Sequence, residues 1–520
     1  MTLKFHNTLT GKIDEFVSQT PGKVLLYTCG PTVYNYLHVG NWASYIYWDT
    51  LVRILMANNY EVDRVMNITD VGHLTSDADE GEDKLEKGAR REGKSAWEIA
   101  KFYTDDFIIG MNKLGLITPT HIERATDYIP EQLELIRQLK DKGLTYQIDD
   151  GIYFDTSRFP SYANFAHLNL AAQQAGARVE CNINKKNPSD FALWKFTLAD
   201  EKRNMEWETP IDLLDGDEAI VTSEHLQPES DQVSGPLSDP ARSRSDVTIA
   251  KSPKMGFPGW HLECSAIAMK LLGKTLDIHT GGIDHIPIHH TNEIAQSEGA
   301  TGAKFSNYWL HNNFLKVDGS KISKSLDNGY TLQDLEKHGF SAIDFRMFVL
   351  QGHYRSEGNF TFEGLQSAKN RLSNWRNIAA IRHQIHDTIE SDRERNEDDT
   401  TVSPYATPQA VIEAVNNDLG TPEALRIIDE TFSTIIVTKP NDINGHAFLQ
   451  LLEVIDELLG LQLIVSTPDI SDEVKQIIIE RNSARYQKDW AKSDKLRDRL
   501  LKQGIVLRDL NSGAIWEYKA

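Results

Sequence analysis

The sequence predicts an α/β protein: a parallel-sheet domain split by an insertion, followed by an α-helical C-terminal domain. Three observations predict this. Lys23–Thr28 (Lys-Val-Leu-Leu-Tyr-Thr) reads as a buried strand running through Cys29-Gly30-Pro31-Thr32 into a helix over 42–58, then a second strand over 62–68. That order opens a parallel sheet, whose ligands bind at the carboxyl ends of its strands. The sheet pattern resumes only at 275–279, before Thr280-Gly281-Gly282, so an insertion separates two halves. Past residue 405 the apolar spacing turns helical. At 520 residues the chain exceeds a single core, and two to four domains are expected.

Residues 1–128 form the first half of the sheet domain, ending in a helix-rich acidic stretch over 76–111. Residues 129–255 form the insertion, with a helix over 130–142 and a strand at 151–155 in a small module of its own. Its segment 211–254 is expected to be mobile, because 223–246 holds six Ser and three Pro with few large apolar residues. Residues 256–315 form the second half of the sheet domain, and 316–390 a region that opens with a basic loop. A charged linker, 391–404, leads to the helical domain at 405–520, with amphipathic helices within 408–433 and 447–459 and a basic helix at Arg481.

Composition narrows the class. Hydrophobic residues at 40% and charged residues at 25% are ordinary for a soluble protein. No apolar run approaches a membrane span, and the N-terminus lacks an apolar signal core. Three cysteines exclude a disulfide framework and point to the reducing cytoplasm. The net charge of −21 argues superficially against a nucleic-acid partner, yet it says little about local patches. Between Arg481 and Arg508 nine Lys or Arg face three Asp, with Tyr486 and Trp490 among them. Positive charge plus stacking rings suits a structured RNA; a solvated helix face is the plainer explanation.

Two short motifs almost 300 residues apart carry the chemistry: Leu37-His38-Val39-Gly40-Asn41 and Lys321-Ile322-Ser323-Lys324-Ser325. His38 lies between a strand and a helix, where a ring and free backbone N–H groups meet phosphate. Gly40 lets a flat base approach the backbone. Lys321 and Lys324, on a loop after Val317-Asp318-Gly319, can follow negative charge as pyrophosphate leaves. Cys29, Cys264, His289 and Glu293 offer two thiolates, an imidazole and a carboxylate, an acceptable zinc shell. His289 and Glu293, four apart, are expected on one helix face. Their spacing is dispersed, with no CxxC pair, so small buried cysteines explain the same positions. Cys181 reads as structural.

These residues resemble one family, the cysteinyl-tRNA synthetases of class I. The similarity covers nearly the whole chain. It rests on the two motifs, Tyr27 through Asn35, Asn67-Ile68-Thr69-Asp70, Asp190-Phe191-Ala192-Leu193-Trp194-Lys195, and Pro258 through Ser265. It continues through Asn292-Glu293-Ile294-Ala295-Gln296, His353-Tyr354-Arg355-Ser356 and 491–506. The resemblance implies a Rossmann-type catalytic domain with a connective peptide, a stem-contact region over 316–390 and a helical anticodon-binding domain. It implies one Zn2+ on Cys29, Cys264, His289 and Glu293, and ATP with Mg2+ near His38, Gly40, Asn41, Lys321 and Lys324. It places Thr69 and Trp260 beside the substrate cysteine, which the chain would join through an adenylate to cysteine tRNA. Arg485, Lys488, Lys492, Asp509 and Trp516 are candidate tRNA contacts, with packing and capping as the alternative for the last two. The family is also expected to be monomeric, without an editing domain.

Two departures stand out. The first motif usually ends in histidine, and here it ends in Asn41, which donates a hydrogen bond but carries no charge. The run Pro287-Ile288-His289-His290-Thr291-Asn292-Glu293 shifts the family's proline by one and replaces a glutamate with Thr291. Two rivals share part of the pattern: a ligase joining cysteine to an amino-sugar, and a non-catalytic tRNA-binding paralogue.

Overall fold

A computed structural model describes residues 2–72, 74, 83–168, 184–198, 201–215, 253–323, 326–385, 408–438, 440–510 and 513–519. Most of the segment expected to be mobile, the linker 391–404, Cys181 and Lys324 lie outside them.

Five parallel strands lie in the order Ser306–Asn312, Leu276–Gly282, Lys23–Thr28, Glu61–Ile68, His121–Arg124. Numbered along the chain this is 5-4-1-2-3, a doubly wound sheet whose order reverses between Lys23–Thr28 and Leu276–Gly282. Thr280 pairs with Thr28, so Cys29 and Gly281-Gly282 emerge side by side at the carboxyl edge. Val24, Leu26, Tyr27, Val65 and Ile278 are fully buried, which explains continuous apolar runs rather than alternation.

The helix after the first strand, Val39–Ala57, buries Trp42, Ile46, Trp48, Leu51 and Leu55 against the core. At its far end the side-chain amides of Asn58 and Asn416 hydrogen-bond each other at 2.8 and 3.1 Å. Midway, Asp49 accepts from Arg346 at 2.5 Å and from Arg53 at 2.7 Å, all three within the protein. Arg346 also donates to the Leu459 carbonyl at 2.6 Å, and Arg53 to that of Glu457 at 3.1 Å. Burial alone would raise the Asp49 pKa; the two guanidiniums outweigh it and hold the carboxylate below its usual value. Every partner is satisfied, which is what lets a buried ion pair persist.

The insertion is a second sheet, antiparallel, of Thr145–Ile148, Gly151–Phe154, Phe191–Phe196, Met255–Pro258 and Trp207–Glu208. Helix Ile129–Asp141 packs on it through Ile136 and Leu139, beside Phe154 and Trp194. Its fourth strand hands the chain back through Gly259 to helix Leu262–Leu272. A Cβ on Gly259 would sit 2.0 Å from the Ala192 carbonyl oxygen, so glycine is required there, just before Trp260.

Helices Pro408–Asn416, Thr421–Val437 and Gly445–Leu459 continue the hydrophobic core of the parallel-sheet domain through Leu425, Phe432 and Leu452. The basic stretch then departs from expectation. It is not one helix but two, Asp472–Tyr486 and Trp490–Lys502, followed by the hairpin Ile505–Leu510 with Gly513–Tyr518. Lys488 breaks the helix with a positive φ of 60°, and Asp489 caps the second one by accepting the Lys492 N–H at 3.1 Å.

Candidate active site

At the switch point of the parallel sheet opens a cavity of about 600 Å³, a size suited to a small-molecule substrate. Its lining includes His38, Asn41, Thr69, Trp260, Cys29, Cys264 and His289. The two motifs meet here. A Cβ on Gly40 would lie 2.9 Å from Ile322 Cδ1, so the glycine is what lets the second loop close on the first. Val39 N–H donates to the Tyr330 carbonyl at 2.8 Å, and His38 bridges to Thr331. Asn328 ties the second loop, accepting from Ser323 N–H at 2.9 Å and donating to the Lys321 carbonyl at 3.2 Å.

Asn41 has a structural use. His38 Nδ1 accepts its backbone N–H at 3.3 Å, while Asn41 Oδ1 accepts the His38 backbone N–H at 3.2 Å. This is a reciprocal capping box at the start of helix Val39–Ala57. Burial holds the His38 ring pKa below its usual value, so near neutral pH it is an uncharged donor or acceptor. Lys321 is exposed, its ammonium 5.6 Å from the centre of the Phe314 ring, and it does not line the cavity.

The donor atoms of Cys29, Cys264, His289 and Glu293 lie within 4.8 Å of one another and are largely buried; the first three residues also line the cavity. His289 belongs to a π-helical turn, Ile286–His290, that runs into α-helix Thr291–Thr301. The expected single α-helical face is therefore a π–α junction, closed by Thr291 Oγ1 donating to the Ile286 carbonyl at 2.7 Å. His289 Nε2 still approaches Glu293 Oε1 at 2.9 Å, yet that oxygen receives no aligned hydrogen bond. Burial would lower the His289 pKa, but the Glu293 carboxylate and Cys264 together outweigh it and push it up to about 10. Burial would raise that of Glu293; the charges on His279 and His289 pull it down to about 2. Burial pushes the Cys29 thiol up to about 11. Buried thiols beside a carboxylate stay protonated until a cation displaces the protons. Two thiols, an imidazole and a misaligned carboxylate oxygen within one coordination radius fit a tetrahedral metal ion.

Sequence reasoning missed what surrounds these four. His261 Nδ1 is 2.9 Å from His289 Nδ1, His279 Nε2 is 2.8 Å from Glu293 Oε2, and His290 Nε2 is 3.4 Å from Cys29 Sγ. His279 stacks on Trp309 at 4.5 Å, and His290 meets His311 at 2.7 Å. Burial pushes His261, His290 and His311 well below the usual imidazole pKa, so these three rings are neutral. Cys29, His279, His290 and Glu293 form a second set of suitable donors. The signal was present: six of 17 histidines fall between His261 and His311.

Thr69 and Trp260 both line the cavity, Trp260 with its ring 4.7 Å from that of His289. Thr69 Oγ1 donates to Glu263 Oε1, and Asn67 Nδ2 donates to the same oxygen at 3.3 Å. Burial pushes the Glu263 carboxyl up to about 8.

The C-terminal candidates are dispersed. Asp509 pairs with Arg481 at 2.9 Å and with Arg485 at 2.5 Å. Trp516 is 5% exposed and stacks near His383, its backbone bonded to Gln384. Lys488 and Lys492 are exposed, as are the rings of Tyr486, at 92%, and Trp490, at 59%.

Comparison with known proteins agrees with this architecture. A family model described as the class I (C) tRNA synthetase catalytic domain matches residues 15–213 and 242–370. A second, the cysteinyl-tRNA ligase anticodon binding domain, matches 467–516. Cysteine–tRNA ligase of Treponema denticola is 38% identical, over 99% of this chain and 100% of its own length. Cysteine–tRNA ligase 1 of Burkholderia lata is also 38% identical, over 99% of this chain and 96% of its own. Among solved structures, Mycobacterium tuberculosis methionyl-tRNA synthetase in complex with methionyl-adenylate superposes with a TM-score of 0.52 at 14% identity, covering 86% of this chain and 91% of its own. The LeuRS–tRNA–LeuAMS complex of Agrobacterium radiobacter K84 gives 0.55 at 14% identity, covering 88% and 86%; both show the shared fold. With a class I catalytic domain, a cysteine-specific anticodon domain and full-length relatives, the chain belongs to the cysteine–tRNA ligase family.

Proposed function

We propose that this chain activates L-cysteine with ATP and transfers it to the 3′ end of cysteine tRNA. The observation that carries the reading is the convergence of Cys29, Cys264, His289 and Glu293, the first three lining a cavity that residues of both motifs also line. The cysteine carboxylate attacks the α-phosphorus of ATP, and the bond to pyrophosphate breaks. A ribose hydroxyl of the tRNA then attacks the carbonyl carbon, and AMP leaves.

The chain's own groups position and stabilise rather than form covalent bonds. The backbone N–H groups at the start of helix Val39–Ala57 and the Asn41 amide face the phosphates, held by the capping box. Gly40 leaves space for the adenine, and Lys321 and Lys324 follow the departing pyrophosphate, with Mg2+ accompanying the nucleotide. Thr69 and Trp260 flank the amino acid. Cys29, Cys264, His289 and Glu293 hold Zn2+, which when bound selects the thiolate of cysteine over the hydroxyl of serine. Shape alone separates such analogues weakly, so no editing site is needed. Arg485, Lys488, Lys492, Asp509 and Trp516 lie on the module that contacts the tRNA, and the enzyme works as a cytoplasmic monomer.

Cysteine-dependent ATP–pyrophosphate exchange tests activation, and charging of cysteine tRNA tests transfer. Cys264→Ser should lose bound zinc and cysteine activation together; activation retained without zinc would sink the metal assignment. Exchange without tRNA charging would instead favour the amino-sugar ligase, which a matched anticodon-binding domain already argues against.

A further inference from the structure

Transfer to tRNA requires that a ribose at the 3′ end reach the cavity, and the 3′ end of a tRNA is unpaired. An unpaired strand is held by rings that stack its bases and by cations that hold its phosphates. One strip of surface, running outward from the cavity mouth, supplies both.

Tyr34, Tyr36 and Lys84 line the cavity. Tyr36 is 40% exposed, and its ring meets that of Phe102, 42% exposed, at 6.0 Å. Both rings stand edge-on to the buried Tyr103, at 5.2 and 5.0 Å. Phe102 and Lys94 lie outside the cavity lining, so the rings lead from its mouth onto the surface. Cations run beside them. Helix Lys84–Glu92 ends at Gly93 in left-handed backbone, and Ser95 caps helix Ala96–Lys113, which carries Phe102 and Tyr103. Lys84 Nζ lies 5.7 Å from the centre of the Tyr34 ring, and Lys94 Nζ, between the helices, 5.0 Å from that of Phe102. Glu92 gathers this end of the strip, accepting from the Tyr103 hydroxyl at 2.9 Å, from Arg91 at 2.8 Å and from Lys94 at 3.3 Å. From Asp83 to Lys94 five residues are Lys or Arg and three are acids. Two of the acids are buried, Asp83 against Arg203 and Glu86 against Asn204, so the outward charge of this stretch is positive. Exposed rings flanked by positive charge, continuous with a substrate cavity, suit a polyanion with flat bases.

We propose that Tyr36 and Phe102 stack the unpaired 3′ end of the tRNA, with Lys84, Arg91 and Lys94 on its phosphates. The terminal nucleotide rests on Tyr36, which brings its ribose over the cavity, and the nucleotides before it rest on Phe102. Phe102 lies outside the cavity, so its part of the strip serves the transfer step and not activation. This rests on the proposed transfer to tRNA.

The test separates the two steps and the two ends of the RNA contact. Charging of cysteine tRNA and cysteine-dependent pyrophosphate exchange are measured side by side. The same tRNA trimmed of its unpaired 3′ nucleotides is titrated as a competitor of charging. Phe102→Ala should lower kcat/KM of charging for tRNA by about 5–100-fold, the range for one lost base–aromatic stack, with exchange unchanged. Phe102→Trp, which keeps a ring, should stay within about threefold of the unmodified enzyme. The inhibition constant of the trimmed tRNA should not move in Phe102→Ala, because the bases held by the ring are gone. Equal weakening of whole and trimmed tRNA, or a matching fall in exchange, would assign Phe102 a structural role and overturn the proposal. So would unchanged charging in both Phe102→Ala and Tyr36→Ala, or a Phe102→Trp enzyme as poor as Phe102→Ala. If Phe102→Ala does not fold, Lys94→Ala carries the same comparison, with a loss confined to whole tRNA that shrinks as salt rises. No charging by the unmodified enzyme would instead refute the transfer reading itself.

Discussion

The metal-donor cluster and the C-terminal module are built in opposite ways. Around Cys29 and Glu293 the polar groups are buried, and each histidine leans on another. Around Lys488 the charges and rings stand in solvent, most of them separately. A buried network is stiff, and removing one member leaves its neighbours unpaired at a cost larger than the lost contact. Exposed groups act nearly independently and are screened by salt. The first design suits one small substrate distinguished by one atom. The second suits a long polyanion read through many weak contacts.

Substitutions can break or sharpen this contrast. The largest effect is expected where burial is complete: Arg346→Met removes one of the two guanidiniums that hold the buried Asp49 and should destabilise the fold by about 3–5 kcal/mol, seen in the denaturant midpoint. A loss under about 1 kcal/mol would show that buried charge here behaves like surface charge. Next, His279→Ala removes the group that orients Glu293 and should weaken metal affinity by about 10–100-fold in a chelator competition, with the four donors intact. On the exposed side, Trp490→Ala should weaken tRNA binding by about 1–3 kcal/mol if its ring stacks on a base, with pyrophosphate exchange unchanged. Smallest of all, Lys488→Ala should reduce the slope of log affinity against log salt by about 0.7–0.9. Adding Lys492→Ala should double that change, since exposed contacts add.

How much of this was readable differs by region for physical reasons. Strand Lys23–Thr28 and helix Val39–Ala57 were legible because burial imposes an apolar run on one and periodicity on the other. Cys264 and Glu293 were recognisable through the motifs around them, although no spacing places them beside Cys29. That juxtaposition comes from the crossover connection, which lays Leu276–Gly282 beside the first strand. The π-turn at Ile286–His290 left no mark in the pattern, because one extra residue in a turn changes no residue type. The break at Lys488 was hidden for a similar reason: a lysine in left-handed backbone looks like any other lysine. The hairpin Ile505–Leu510 with Gly513–Tyr518 follows a basic helix, and its short apolar stretches blended into that reading. Asn41 looked like a weakened motif; it also closes the capping box whose N-cap is His38.

Helix Val39–Ala57 has 19 residues, so it spans about 28 Å. One end carries the capping box at the cavity wall; the other is clasped by Asn416 and, through Arg53, by the end of helix Gly445–Leu459. Such a strut has no joint along its length, for Asp49 and Arg346 pin its middle. The orientation of the C-terminal helices and the placement of His38 are therefore a single degree of freedom. Tilting one without the other requires breaking a fully buried ion pair.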